Sequence, residues 1–357
     1  MSHPSSPYAS VKEQIGCALH ELLPSCIAVR GGKGQWRSLC NRHERLEIRT
    51  DATGITGGRC RWEHSSELTV TRVFPWMANR IFDAGFSNLQ FEWHDLPSHE
   101  RPAVSVLLAV GGHDRHRLLE PCLASLLGSA VHVSGGAELV LVQERGTEID
   151  VDWPAIRKVL VEPQPAFNKS LMLNAAAKLA RGEVLVIHDA DLIVSPTYLT
   201  TCLDRCRRAE SARPGRLIFY LDEASTQRFV ACVNRTAKPT KLAEAGIRPR
   251  SLRFDRVVQN TPNPMAIRRN TYFELGGHDE AFQGWGGEDL EFLSRLRTRP
   301  IDEFGSEPLI HLWHPPAKKK QSGDRNQQLQ DQKLSTPAET RIQRLIEQRH
   351  SQQTPQP

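Results

Sequence analysis

The sequence lacks the features that mark membrane-spanning, secreted and repeat proteins. None of its apolar runs approaches the length needed to cross a bilayer, and its first ten residues do not resemble a secretory signal. It also contains no internal repeat. We therefore expect a protein without a transmembrane segment, located in the cytoplasm. The 357 residues suffice for one large α/β domain and a smaller module.

The sequence also lacks the broad positive charge of a nucleic-acid-binding protein. Its formal net charge is +5, and residues 316–357 hold eight Lys or Arg against four Asp or Glu. We expect residues 317–357 to form a flexible, basic, Gln-rich tail with a short helix around 339–348. Such a tail is either solvated or in peripheral contact with a membrane through Lys318, Lys319 and Lys320.

Two carboxylates follow a short apolar strand near the middle of the chain. Residues 184–188 are β-branched or apolar up to His188, and Asp189 and Asp191 come directly afterwards. Ligands of α/β folds bind at the carboxyl ends of such strands. Two acids separated by one residue can share a divalent cation, which would neutralise a departing diphosphate.

A capped helix precedes this strand. Asn168 is placed to cap a helix that starts near Ser170, and Lys169 can offer its ammonium to a phosphate at the helix N-terminus. An ordinary amphipathic helix is the alternative interpretation. Further on, His311 and His314 follow an apolar pair, and imidazoles beside Asp191 favour manganese over magnesium.

A second acidic motif combines an indole, three glycines and two acids. Trp285 and Gly286 precede Glu288 and Asp289, which begin a helix predicted over 287–297. The local amide dipoles should keep Asp289 ionised, and the glycines permit a mobile loop. Helix capping is the alternative role for the two acids. An aromatic side chain flanked by glycines suits a sugar-facing position.

These motifs, in this order, resemble the GT-A glycosyltransferases with a galactosyltransferase-type C-terminal domain. The resemblance rests on residues 167–174, 189–193, 276–280 and 284–289, and it covers roughly residues 102–316. The run from Val104 is similar to the donor-binding start of family 2 glycosyltransferases. The resemblance implies an α/β fold with a mainly parallel sheet flanked by helices. It also implies a UDP-sugar donor, Mn²⁺ with Mg²⁺ as the alternative, and a glycan or other hydroxyl acceptor.

The family's functional residues carry over onto matching positions. Asp189 and Asp191 match the acids that hold the nucleotide-sugar and its metal, and His314 matches a metal-binding histidine. His311 falls where β-galactosyltransferases have a Met ligand, and Asp289 matches the catalytic base. The remaining matches are the donor-site positions Asn168 and Lys169, the indole Trp285 that lines the donor and acceptor pocket with Gly286 beside it, and Glu288 before the base.

Three departures and two further function classes limit this prediction. The chain has residues 111–115 in place of a family Tyr-Asn pair, Glu144 as its only acid after the second strand, and Leu290 where relatives have an acceptor-holding acid. The acidic string also resembles retaining peptide glycosyltransferases, so an inverting mechanism is one of two outcomes. The two further classes are a sugar nucleotidyltransferase and an inactive nucleotide- or glycan-binding homologue.

The predicted organisation has three parts. Residues 1–101 form an N-terminal extension or small module, residues 102–316 the transferase domain, and residues 317–357 the tail. Within the domain, 102–191 is the nucleotide-sugar half and 192–316 the acceptor half. Cys40, His43, Cys60 and His64 supply enough ligands for a structural zinc ion, although reduced cysteines beside surface histidines are the alternative.

Overall fold

The computed structural model describes most of the chain. The described residues are 10–31, 34–61, 66–86, 89–91, 95–111, 116–149, 153, 155–232, 240–241, 248–259, 261–315 and 323–353. Within them, two mixed sheets and the surrounding helices form an α/β fold, as the sequence predicts.

The N-terminal part is mostly helical, with one hairpin. A helix begins at Val11, passes through a π-helical turn at Ala18–Leu22 and ends at Arg30. The elements of this part are α1 (Val11–Cys17), α2 (Leu23–Arg30), β1 (Leu46–Thr50), β2 (Thr56–Cys60), β3 (Ser66–Glu67), α3 (Thr69–Val73), α4 (Pro75–Phe86) and β4 (Gln90–Phe91).

Strands and helices alternate through the first half of the central part. These elements are β5 (Val104–Val110), α5 (His116–Ala130), β6 (Ala137–Glu144), β7 (Ile156–Val161), α6 (Lys169–Leu179), β8 (Val184–His188), β9 (Leu192–Val194), α7 (Tyr198–Arg208) and β10 (Ser211–Ala212). The alternation places helices on a parallel sheet. The predicted strand at 184–188 is confirmed, and the helix after Asn168 begins one residue earlier than expected.

The second half of the central part adds the other sheet and the acidic helix. These elements are β11 (Gly215–Leu221), α8 (Glu223–Cys232), β12 (Thr240–Lys241), β13 (Phe254–Gln259), β14 (Met265–Arg268), α9 (Arg269–Glu274), α10 (Glu288–Leu296), β15 (Ile301–Asp302) and β16 (Glu307–His311). Two helices follow, α11 (Gly323–Leu334) and α12 (Ala338–Gln353).

The larger sheet has seven strands in the order β15-β10-β14-β8-β5-β6-β7. Strands β8, β5, β6 and β7 run parallel, whereas β14 is antiparallel to β8. Strand β5 is almost entirely buried and apolar, which is the pattern of a strand covered on both faces. This sheet is mainly parallel, as predicted.

The smaller sheet has five strands in the order β3-β13-β11-β16-β9. Its strands β9 and β16 are antiparallel, and Leu192 of β9 pairs with His311 of β16. Helix α4 packs on this sheet, because Phe82 and Phe86 contact Phe219 of β11. The N-terminal part therefore shares a hydrophobic core with the acceptor half.

The prediction of a flexible tail is wrong for residues 323–353. Helices α11 and α12 pack against α10, where Arg341 pairs with the buried Glu291 and Lys333 pairs with Asp279 over 2.6 Å. Leu345 is buried as well. These long-range contacts hold the helices, whereas Lys318–Lys320 lie outside the described residues.

The segment at 261–268 leads into strand β14. This strand begins beside the carboxyl end of β8, because Met265 pairs with Ile187 and Arg268 pairs with Val184. Arg268 and Arg269 donate to backbone carbonyls near the opposite edge of the sheet.

Candidate active site

The candidate site lies where β8 of the larger sheet ends. His188 is the last residue of β8, and its ring nitrogens contact the Tyr198 hydroxyl and the Leu192 carbonyl oxygen, both at 3.2 Å. Burial lowers the pKa of this histidine, which is therefore a neutral structural residue. Asp189 and Asp191 follow at the carboxyl end of the strand, where α/β folds bind their ligands.

Asp191, His311 and His314 form a cluster capable of holding a metal ion. Their ligand atoms all lie within 4.8 Å of one another, and no other such group of His, Cys, Asp or Glu occurs in the described part of the chain. The Asp191 carboxylate is 3.3 Å from His314 Nε2 and 3.8 Å from His311 Nε2. The sequence grouped these three residues by spacing, and the structure brings them together.

The pairing of β9 with β16 explains this grouping. The Leu312 amide donates to the Asp191 carbonyl oxygen over 2.9 Å, which fixes the histidine segment beside the acid. The His311 ring stacks on Tyr220 with 4.3 Å between centroids, and His314 Nδ1 lies 2.8 Å from the Pro315 carbonyl oxygen. The Nε2 atom of His314 consequently faces Asp191. One carboxylate and two imidazoles are a donor set that suits manganese or zinc.

Lys169 joins the two acidic motifs. It is the first residue of α6, and its ammonium lies 2.7 Å from Asp189, 3.2 Å from Asp289 and 3.9 Å from Glu288. Burial would lower the pKa of Lys169, but the negative charges of Asp189, Asp289 and Glu288 outweigh burial and raise it. The amine is therefore protonated and lies within 4 Å of three carboxylates.

Glu288 and Asp289 are the first two residues of α10, directly after the glycine loop. Burial and the neighbouring Asp289 raise the pKa of Glu288 to about 7, although Lys169 opposes them. Burial also raises the pKa of Asp289, and Lys169 again opposes this effect. The effect of the helix dipole on the ionisation of Asp289 stays a prediction. The Lys169 ammonium is the main charge that favours the ionised form.

The glycine loop presents Trp285 to solvent. Its side chain is 58% exposed, so Trp285 is not a core residue. Gly284, Gly286 and Gly287 have φ values of +81°, +95° and +96°, a region that side chains other than glycine rarely adopt. A Cβ atom at Gly286 would meet nothing within 4 Å. The loop thus leaves open space beside the indole.

Helix α11 holds this loop from behind. The Asn326 side-chain amide donates to the backbone carbonyl oxygens of Gln283 and Trp285 over 3.0 and 3.1 Å. Asn326 is only 1% exposed. Asn326 therefore limits the predicted mobility of the loop, although it belongs to the C-terminal segment that was expected to be flexible.

Two predicted site residues have a different geometry from the one expected. Asn168 caps α6 as predicted, accepting from the Leu171 amide, but its amide nitrogen donates to the Glu280 carbonyl oxygen over 2.9 Å and the residue is buried. These contacts fix the start of α6, and a donor-binding role for Asn168 stays a prediction. Asp189 pairs with Lys169 and is not part of the cluster formed by Asp191, His311 and His314.

Three residues near the site were missed by the sequence analysis. Tyr220 stacks on His311, and Asn326 holds the loop that carries Trp285. Burial raises the pKa of Asp289, and the Asn263 side chain opposes this rise. Tyr220 lies one residue before the end of β11. Asn263 and Asn326 lie in segments without a motif, and only the fold brings them to the site.

The zinc prediction is not tested by the structure. His64 lies outside the described residues. Of the other three candidates, His43 accepts a hydrogen bond from Arg42. Cys60 has a hydrogen bond to Glu44. Burial raises the pKa of Glu44, and this hydrogen bond opposes the rise. Cys40, His43 and Cys60 do not form a three-residue ligand group among the described positions.

Comparison with known proteins defines the class. Residues 155–309 match the family model described as "Glycosyltransferase like family 2". Over 160 residues the chain is 26% identical to human chondroitin sulfate N-acetylgalactosaminyltransferase 2, covering 43% of this chain and 28% of that protein. Over 220 residues it is 27% identical to the O-antigen biosynthesis protein RfbC of Myxococcus xanthus, covering 57% of this chain and 17% of that protein.

The fold, the site and these matches agree. Residues 155–309 resemble family 2-like glycosyltransferases, and the mixed α/β fold with its mainly parallel sheet is consistent with the GT-A fold. The chain spans less than a third of the length of either relative. The family match favours a glycosyltransferase over a sugar nucleotidyltransferase. None of the helices in the described ranges combines the length and apolar character that crossing a bilayer requires.

Proposed function

We propose that this domain transfers a hexose or N-acetylhexosamine from a UDP-sugar to a glycan hydroxyl, with Mn²⁺ as cofactor and Asp289 as base. The observation that carries the proposal is the position of Lys169. Its ammonium contacts Asp189, two residues from the metal-capable cluster, and also Asp289 at the start of α10. Lys169 thus contacts both an acid of the proposed donor site and the proposed base.

Asp191, His311 and His314 would hold the metal ion. Their oxygen and nitrogen donors fit Mn²⁺ better than Mg²⁺, which prefers an all-oxygen shell. When bound, the ion supplies positive charge that stabilises the diphosphate of the departing UDP. Asp189 and Lys169 lie beside this cluster and contact the donor on the side of the base.

Asp289 removes the proton of the acceptor hydroxyl. A base works best when its pKa is raised toward the working pH, and burial raises the pKa of Asp289 in this way. Lys169 keeps the carboxylate available in its charged form. Glu288, whose pKa is raised to about 7, can donate a hydrogen bond to the acceptor while protonated.

Trp285 and Gly286 form the acceptor side of the site. The exposed indole offers an apolar face to a sugar ring, and the open space at Gly286 lets a sugar approach the backbone. Asn168 contributes to the donor side by fixing the start of α6 and hence Lys169. The names of both relatives concern glycan synthesis, which supports a glycan acceptor.

A donor panel tests this function. Release of UDP would be measured from UDP-glucose, UDP-galactose and their N-acetylated amino forms, with Mn²⁺ and then with chelator. We expect release from at least one donor, its loss with chelator, and a fall of at least about tenfold in Asp191→Asn. Asp204→Asn, an exposed acid on α7, is the matched control. Binding of UDP-sugars without release from any of them would instead indicate a binding protein.

The stereochemistry of transfer requires a second readout. An acceptor proton removed by Asp289 during direct attack gives inversion at the anomeric carbon. With the donor identified, the anomeric proton coupling in the NMR spectrum of the product distinguishes the two outcomes. A product with retained configuration would remove Asp289 from the role of base for a single displacement.

A further inference from the structure

The N-terminal helix carries a stripe of exposed apolar side chains. The stripe residues recur at intervals of four along α1, the π-helical turn and α2. They are Val11, Ile15, Leu19, Leu23 and Ile27, exposed by 72%, 56%, 71%, 65% and 59%. The opposite side of the helix is buried at Cys17, Glu21, Ser25 and Ala28. One face of this helix is therefore docked on the domain and the other is apolar and open.

The π-helical turn keeps the stripe on one face. In a regular α-helix a side chain at every fourth position rotates by about 40° per step, so five such positions would spread over about 160° of the helix surface. The turn at Ala18–Leu22 is wider, with more residues per turn, and it offsets this rotation at the middle of the stripe. π-Helical insertions occur frequently at functional sites. The geometry thus supports a continuous apolar surface.

The charges on this helix are distributed unequally between the two faces. Glu13 pairs with Arg72, and Glu21 is buried with Arg42 3.7 Å away. Both acids of the helix therefore have cationic partners from the domain. Lys12 and Arg30, at the two ends of the stripe, are exposed. The exposed charges that flank the stripe are positive.

This charge pattern selects the occupant. In an antiparallel pair of two copies, Lys12 of one helix would meet Arg30 of the other, and in a parallel pair each Lys12 would meet its equivalent. Both arrangements bring like charges together, which is unfavourable. A surface of anionic phospholipid offers an apolar interior for the stripe and negative headgroups for both ends.

We propose that this N-terminal helix binds the surface of an anionic membrane, lying flat with its apolar stripe in the interface. An apolar surface of this length is uncommon on a protein with no partner. The inference is independent of the donor and the acceptor. It places membrane contact on the N-terminal helix. Arg341 and Lys333 of the C-terminal helices pair with acids of the domain, and Lys318–Lys320 lie outside the described residues.

Vesicle co-sedimentation of the full chain tests this inference. Vesicles of phosphatidylcholine with phosphatidylglycerol would be compared with phosphatidylcholine alone. We expect sedimentation with the anionic vesicles, weakened by salt, and a loss of at least about tenfold in affinity for Leu19→Asp. Lys12→Glu combined with Arg30→Glu should abolish the preference for anionic vesicles. Circular dichroism would verify that the variants are folded, and Leu19→Gln is the milder substitution.

Val131→Asp is the matched control, because Val131 is an exposed apolar residue outside the stripe, 41% accessible. It should sediment like the wild type. Equal sedimentation of Leu19→Asp and wild type, or no sedimentation with anionic vesicles, would overturn the proposal. Light scattering that shows a dimer dissociated by Leu19→Asp, without vesicle binding, would also overturn it and assign the stripe to a second copy.

Discussion

Lys169 donates to Asp189 over 2.7 Å and to Asp289 over 3.2 Å, so a single ammonium neutralises charge on both sides of the site. Three carboxylates otherwise crowd this position, and burial already raises the pKa of Asp289. Without the ammonium, the protonated form of Asp289 would dominate over a wider pH range. Lys169 is thus expected to control the pH at which Asp289, the proposed base, is ionised.

Replacing Lys169 by Met should shift the pH dependence of transfer. The ammonium lowers the pKa of Asp289, so its loss raises that pKa, and activity on the acidic side is lost at a higher pH than in the wild type. An opposite charge at this distance is worth about 1–3 pKa units. The acidic limb of kcat/KM against pH should move upward by that amount.

Two comparisons complete this measurement. Lys169→Arg keeps the positive charge, so its acidic limb of kcat/KM against pH should lie at the same pH as that of the wild type. Lys333→Met removes a different ion pair with a buried acid, Asp279, at a distance from Asp289. It should leave the acidic limb of the pH profile unchanged. An acidic limb that coincides in Lys169→Met and wild type would exclude Asp289 as the titrating base.

Single residues of the site were predictable where a local pattern carries them. Asp189 and Asp191 follow a short apolar strand, and His311 and His314 have a spacing that suits one ligand cluster. The partners of Lys169 were not predictable, because its contact with Asp289 spans 120 positions. A sequence pattern reports the start of α6 but not which acids the fold brings to it.

At the level of elements, α11 positions the loop that carries Trp285. Asn326 supplies two hydrogen bonds to the loop backbone, each worth about 0.5–1.5 kcal/mol. Asn326→Ala should therefore reduce the ordered fraction of the loop and lower kcat/KM about tenfold. Acrylamide quenching of Trp285 fluorescence, taken as the difference from a Trp285→Phe background, should increase.

The neighbouring residue provides the control for this prediction. Gln327 is exposed and bonds to Asp331 within α11, so Gln327→Ala changes the same helix without touching the loop. Its kinetics and quenching should equal those of the wild type. If Asn326→Ala behaves in the same way as Gln327→Ala, then α11 does not position the loop.

The C-terminal helices could be predicted only in part. The sequence indicates a short helix around 339–348, which lies within α12. Helix α11 is rich in Gln and charge, and such a composition is typical of solvated segments. Its order depends on distant partners such as Asp279 and the loop at Gln283. Local composition carries no information about those partners.

At the level of the whole molecule, the two sheets divide the site between them. The smaller sheet brings His311 beside Asp191, whereas α6 and α10 on the larger sheet bring Lys169 to Asp289. The N-terminal part supports the smaller sheet, since Phe82 contacts both Phe219 and Phe254. We expect this part to unfold together with the domain.

Truncating Phe82 tests that expectation. The side chain is fully buried, and Phe82→Ala should lower the free energy of unfolding by about 3–5 kcal/mol. Calorimetry should show one transition, shifted as a whole. Trp76→Ala, at a side chain that is 45% exposed on the same helix, should cost much less. Two separate transitions, of which only one moves, would mean that the N-terminal part is an independent module.

The most direct test of the central claim is a Mn²⁺ titration of the full chain, followed by the electron paramagnetic resonance signal of free Mn²⁺. If Asp191, His311 and His314 hold the ion, the wild type should have one Mn²⁺ site. Its affinity should fall at least about tenfold in Asp191→Asn and in His314→Ala and stay unchanged in Asp204→Asn. This result does not depend on knowing the donor. Equal Mn²⁺ affinity in all four proteins, or no binding by the wild type, would contradict a metal-dependent site at Asp191, His311 and His314.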